Sequence, residues 1–130
     1  MFKIVEAYPS LPAVDLQRAK SFYQEKLGLK VVDEDDIGGA TLKGDGGAKL
    51  YLYQRGATKA DHTAAALVVD DFDAAVADLR AKGVEFEEYD MPQLKTVNGI
   101  WTFQDRGTEH HLAFLKDTEG NILGLSDITV

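Results

Sequence analysis

The sequence predicts an α+β fold of two βαβββ repeats forming a curved mixed sheet with a concave ligand-binding face. Three observations predict it. Two amphipathic segments with helical spacing are each opened by an aspartate and closed by a glycine. Short alternating stretches follow each of them. The residues around the first helix recur, in order, around the second. The chain has 130 residues, which suits one domain, with repeats at about 1–55 and 62–130 joined by a linker.

The first helix is expected over Asp15 to Leu27. The Asp15 carboxylate can accept from an unpaired first-turn amide. Leu16, Ala19, Phe22, Tyr23 and Leu27 recur three or four apart, so they form one apolar stripe. Gly28 stands where a left-handed cap is required. Strands follow at Leu29 to Val32, at Ala40 to Lys43 and at Lys49 to Gln54. The last alternates strongly, with Leu50 and Leu52 on one face and Tyr51 and Tyr53 on the other. Gly44-Asp45-Gly46-Gly47 lies between strands and reads as a hairpin rather than a phosphate loop.

In the second half, strands are expected at Ala64 to Val69, Val84 to Tyr89, Gly99 to Phe103, His111 to Lys116 and Ile122 to Leu125. The helix runs from Asp71 to Lys82, with Phe72, Ala75, Val76 and Leu79 as its stripe and Gly83 as its stop. Asp117 to Asn121 is a turn. Asp90 to Asn98 is a longer loop of the kind often found near pockets.

The repeat aligns Leu11 to Leu16 with Leu67 to Phe72, Ala19 with Ala75, and Leu27-Gly28-Leu29 with Lys82-Gly83-Val84. A single βαβββ unit leaves one sheet face uncovered after its helix covers the other. Two such units can meet, and a concave, partly apolar place of that kind suits a ligand.

Composition narrows the function. Apolar residues make up 45% and charged residues 28%, which supports a sizeable core. The formal net charge of -8 repels phosphate backbones, so no nucleic acid is expected as a partner. The same charge favours a cationic ligand. No apolar run reaches the length of a membrane span, and no leader is evident, so a cytoplasmic location is expected. The chain contains no cysteine, which excludes disulfides, thiolate metal sites and cysteine nucleophiles. No serine sits in a nucleophile elbow. The acidic run Asp33-Glu34-Asp35-Asp36 lacks calcium-loop spacing and reads as a solvated turn.

Three motifs carry a resemblance. They are Leu11-x-x-x-Asp15-Leu16-x-Arg18-Ala19-x-x-Phe22-Tyr23-x-x-x-Leu27-Gly28-Leu29, then Val69-Asp70-Asp71-x-x-Ala74-Ala75-x-x-x-Leu79-x-x-Lys82-Gly83-Val84, and last Phe114-Leu115-Lys116-Asp117-x-x-Gly120-Asn121-x-Leu123. In this order they resemble the vicinal oxygen chelate superfamily, which contains glyoxalases, bleomycin-resistance proteins and ring-cleaving dioxygenases. The resemblance implies four metal-ligand positions, on the first and last strands of each half. Here they fall on Tyr8, Tyr51, Ala64 and Gly124. Ala64 and Gly124 have no side-chain donor, and a tyrosine must ionise against a pKa of about 10 to ligate. No metal and no other cofactor is therefore expected. His62 stands two residues before Ala64, with the same strand parity, and remains an alternative for that position.

The expected ligand-binding residues are Tyr8, Tyr51, Tyr53, Trp101, His110, Leu112 and Phe114. The tyrosines share a face if strand parity holds. Trp101 and Phe103 belong to a neighbouring strand. The resemblance assigns Leu112 and Phe114 to the pocket, and alternation adds His110 while turning His111 away. Such a lining suits a planar or cationic small molecule. No catalytic residue is assigned. The leading expectation is a metal-free small-molecule-binding protein of the bleomycin-resistance type, and the resemblance implies a homodimer. The alternative is a lyase, isomerase or dioxygenase-like enzyme with a non-standard site, using His110, Tyr8 or an unusual metal set.

Overall fold

The structure is a computed structural model that describes residues 1–128. It divides into two compact units, Met1–Lys59 and the chain from Ala60 onward.

The first unit runs β1 (Ser10–Ala13), α1 (Leu16–Glu25), β2 (Lys30–Glu34), β3 (Gly39–Lys43) and β4 (Lys49–Gln54). Its sheet has the order β1-β4-β3-β2. β1 lies parallel to β4, and the other pairs are antiparallel. The second unit contains β5 (Thr63–Val68), α2 (Phe72–Ala81), a small hairpin of β6 (Asp90–Met91) and β7 (Leu94–Lys95), then β8 (Ile100–Asp105), β9 (Thr108–Lys116) and β10 (Ile122–Ser126). Its sheet has the order β5-β10-β9-β8, again with one parallel pair, β5 with β10. The chain is thus α+β, with one mixed four-stranded sheet of the same connectivity in each repeat. Among the described residues no helix is long and apolar enough to cross a membrane.

The helix caps explain the boundaries. Asp15 accepts from the Arg18 amide and Asp71 from the Ala74 amide, each at 3.1 Å. Both aspartates are extended, so each helix begins one residue later than its cap. Gly28 and Gly83 have φ of 72° and 84°, a left-handed conformation that ends each helix without a Cβ penalty. The stripes then turn inward. Ala19, Phe22 and Tyr23 pack in the first core with Leu11, Leu42, Leu50 and Leu52. Phe72, Val76 and Leu79 pack in the second with Ala113, Leu115, Leu123 and Leu125.

Three of the departures from the expected elements have a visible cause. Val84 to Tyr89 is not a strand: it contributes one bridge, Phe86 to Leu115, and a bond from the Glu87 amide to the Phe114 carbonyl at 2.7 Å. Its first amide closes α2 on Leu79, and Tyr89 is already bonded to Thr96 of the hairpin, so neither end is free to extend a ladder. The 90–98 loop folds back on itself as the β6–β7 hairpin. β9 begins at Thr108 rather than His111, because a two-residue turn at Arg106 and Gly107, both with positive φ, lets pairing run out to Asp105 and Thr108.

Candidate functional site

In the first unit, alternation along β4 decides which side chains remain accessible. Leu50 and Leu52 are buried against α1, so Lys49, Tyr51 and Tyr53 take the opposite face and are half-buried. The Tyr51 and Tyr53 rings stack with centroids 6.5 Å apart and planes 14° apart. The Tyr51 hydroxyl donates to Asp35 Oδ2 at 2.6 Å. Asp35 Oδ1 accepts from the amides of Ile37 and Gly39, at 3.1 and 2.9 Å. The Tyr51 bond is the main reason that the Asp35 carboxyl lies below its ordinary range, and it raises the Tyr51 phenol above its own. Gly39 makes this possible, since a Cβ there would come within 1.8 Å of the Tyr51 oxygen.

Tyr8 precedes β1 and is exposed. The Lys49 ammonium stands 4.5 Å from its ring centroid and bonds Glu6 at 2.6 Å. That bond holds the Glu6 carboxyl below its ordinary value.

In the second unit, register gathers the other expected residues. Trp101 is paired with Leu112 and Phe103 with His110. Residues directly opposite share a face, as do residues two apart on one strand. Trp101, Phe103, His110, Leu112 and Phe114 therefore share a face. Trp101 and Phe103 stack at 4.3 Å, and Phe103 lies 5.7 Å from the His110 ring. Phe114 is buried, with Tyr89 packed edge-on at 5.2 Å. Beside Trp101 a cleft of about 700 Å³ opens, walled by Met91, Pro92, Gln93 and Leu94 of the hairpin.

His111 points the other way, as alternation requires, and its ring stacks on Phe72 of α2 at 5.5 Å. Asp127, just past β10, takes the His111 amide on Oδ1 at 3.0 Å and His111 Nδ1 on Oδ2 at 2.8 Å. It also lies 3.8 Å from His110 Nδ1. The Asp127 bond raises the His111 pKa above its ordinary value. Burial works to raise the Asp127 carboxyl, but the bonds from His111 outweigh it and leave that pKa lowered. His62 lies exposed before β5, with Nδ1 3.3 Å from the adjoining Thr63 carbonyl.

Asp35, Lys49, Asp127 and the hairpin side chains were not legible as site residues. Asp127 follows a strand whose antiparallel register alone brings it to the histidines. The only advance signal for the hairpin was the length of its loop.

A divalent metal at the family's positions does not fit these side chains. Tyr51 carries its proton into a bond with Asp35, and a raised pKa opposes the ionisation that ligation needs. Ala64 has a methyl group. At Gly124 there is no donor, and Thr63 and Leu112 carbons lie 3.5 and 3.7 Å from where a Cβ would stand. Among the described residues no three His, Cys, Asp or Glu side chains are grouped to hold a metal ion.

A search of the curated proteins finds no match. Solved structures of the same fold are numerous. A bleomycin-binding protein complexed with bleomycin is 23% identical, with 97% of this chain and 100% of that one covered and a TM-score of 0.70. A bleomycin resistance determinant encoded on the transposon Tn5 is 22% identical, with coverage of 98% and 100% and a TM-score of 0.70. A lactoylglutathione lyase from Agrobacterium tumefaciens is 17% identical, with coverage of 95% and 94% and a TM-score of 0.66. At these identities the likeness speaks to the fold alone. A family profile matches residues 7–125, and on that match the chain belongs to the Glyoxalase/Bleomycin resistance protein/Dioxygenase superfamily.

Proposed function

We propose that this protein sequesters a small organic molecule on its aromatic sheet faces, without metal-dependent catalysis, and acts as a cytoplasmic homodimer in which both repeats serve one domain. The observation that carries this reading is the stacked, half-exposed Trp101–Phe103 pair beside an open cleft. Two rings on a strand face offer a flat apolar surface, and the hairpin supplies a flexible apolar wall through Met91 and Leu94. A planar group fits such a surface. The charge of -8 favours a cationic ligand, and Asp35 adds a fixed negative charge at the Tyr51–Tyr53 stack. Tyr51 contributes ring surface rather than a free hydroxyl donor, since its proton is already engaged. The dimer rests on the family resemblance, and the bleomycin complex of a relative with this fold supports the ligand class.

Trp101 is the sole tryptophan, so its emission reports on the cleft directly. Titration with planar aromatic cations should quench it saturably, and aromatic anions of equal size should do so less. Emission indifferent to every member of the panel would overturn the reading. So would a stoichiometric divalent metal in purified protein, which favours the enzyme alternative.

A further inference from the structure

A second cleft, of about 500 Å³, opens at the end of α2. Its lining includes Arg80, Val84, Glu85, Phe86, Glu88 and Gly99. Arg80 occupies the last turn of the helix, where the helix dipole favours a cation. Its guanidinium lies 5.5 Å from the Phe86 ring centroid, and Nη2 donates to the Asn98 carbonyl. Glu88 is held in the same way by uncharged groups: its Oε1 accepts from Thr96 Oγ1 at 2.8 Å and from the Gly99 amide. Gly99 keeps the floor open. A Cβ there would lie 2.8 Å from Phe86 Cβ and 3.4 Å from Arg80 Nη2, and its φ of 80° already disfavours a side chain.

Among the described residues Arg80 makes no ion pair, although Glu85 and Glu88 line the same cleft. A fixed cation and a fixed anion that face one space without pairing are complementary to a ligand carrying both charges. We propose that this cleft binds a small zwitterion, an α-amino acid with an apolar side chain. Its carboxylate meets the open guanidinium edge of Arg80, its ammonium meets Glu88 and Glu85, and its side chain rests on Val84 and Phe86. The site shares no residue with the Trp101 cleft, so the two readings stand or fall separately.

The test uses the full chain, labelled for amide NMR and titrated with L-leucine, 4-methylpentanoate and 3-methylbutylamine. The last two are leucine without its amine and without its carboxylate. Leucine should give saturable shifts at the Gly83, Asn98 and Gly99 amides, with each companion about tenfold weaker or more. Arg80→Gln should lower leucine affinity about tenfold. Glu85→Gln changes an exposed side chain without a structural bond, so it keeps the fold and should also weaken leucine. Trp101 emission should stay constant throughout. No saturation by about 20 mM leucine, companions that bind as well as leucine, or an Arg80→Gln variant with full affinity would each overturn the proposal.

Discussion

Replacing Asp127 with alanine should destabilise the protein more in mild acid than in base. Asp127 makes two bonds to His111, one from the amide at 3.0 Å and one from Nδ1 at 2.8 Å. The two side chains are 31% and 28% exposed, so solvent screens the pair and holds the charged interaction to about 1 kcal/mol. The amide bond to the carboxylate adds about 1 kcal/mol. The pH window follows from the direction of each shift. The His111 pKa is raised above 6.5, so its contribution is complete below that value and disappears as pH rises through the raised one. The Asp127 pKa is lowered from 3.8, so its contribution is present above that value and disappears as pH falls through the lowered one. Both operate between those ordinary values. Asp127→Ala should therefore cost about 2 kcal/mol near pH 5.5 and about 1 kcal/mol near pH 9. For a chain of this length that is a drop in Tm of about 8 °C against about 4 °C. Thermal melts of both proteins at the two pH values read the difference. His111 should also titrate closer to 6.5 in the variant, with Glu109 and Asp73 sustaining part of the upward shift. An equal drop at both pH values, or a larger one in base, would refute the ion-pair account.

Three further outcomes are expected. Trp101→Ala should weaken a planar cation about tenfold by calorimetry, whereas Trp101→Phe should retain most of the affinity. Gly39→Ala should drive the Tyr51 hydroxyl off Asp35, and the phenol should then titrate at lower pH by ultraviolet absorbance. Leu123→Ala opens a hole at a fully buried position and should cost about 2–5 kcal/mol in urea unfolding, a loss unrelated to ligand.

Much of the fold was readable because it is written locally. Asp15 and Asp71 accept the amides three residues on, and Gly28 and Gly83 take the left-handed conformation, all within one helical turn of their partners. The alternation of β4 set Leu50 and Leu52 against Tyr51 and Tyr53 by parity alone. The same rule turned His111 from His110. Val84 to Tyr89 misled for the converse reason. Its side chains suit a strand, but its end amides are engaged by α2 and the hairpin, and a ladder depends on free amides rather than on propensity.

The candidate site divides along the same line. That Ala64 and Gly124 offer no side-chain ligand follows from residue type, because neither a methyl group nor a hydrogen can donate a lone pair. The aromatic face of β8 and β9 follows from alternation. What each side chain is bonded to was beyond the sequence. Asp35, just past β2, meets Tyr51 through the β2–β3 and β3–β4 registers, and Asp127 meets His111 through that of β9 and β10. Arg80 and Glu88 line one cleft, and Gly99 leaves room there where a Cβ would meet Phe86 and Arg80. Local sequence determined the helices, the strand faces and the missing donors, since those depend on neighbours a few bonds away. Tertiary structure decided which charges are paired and which are not, since that depends on register and on distances of a few ångströms between residues far apart in the chain.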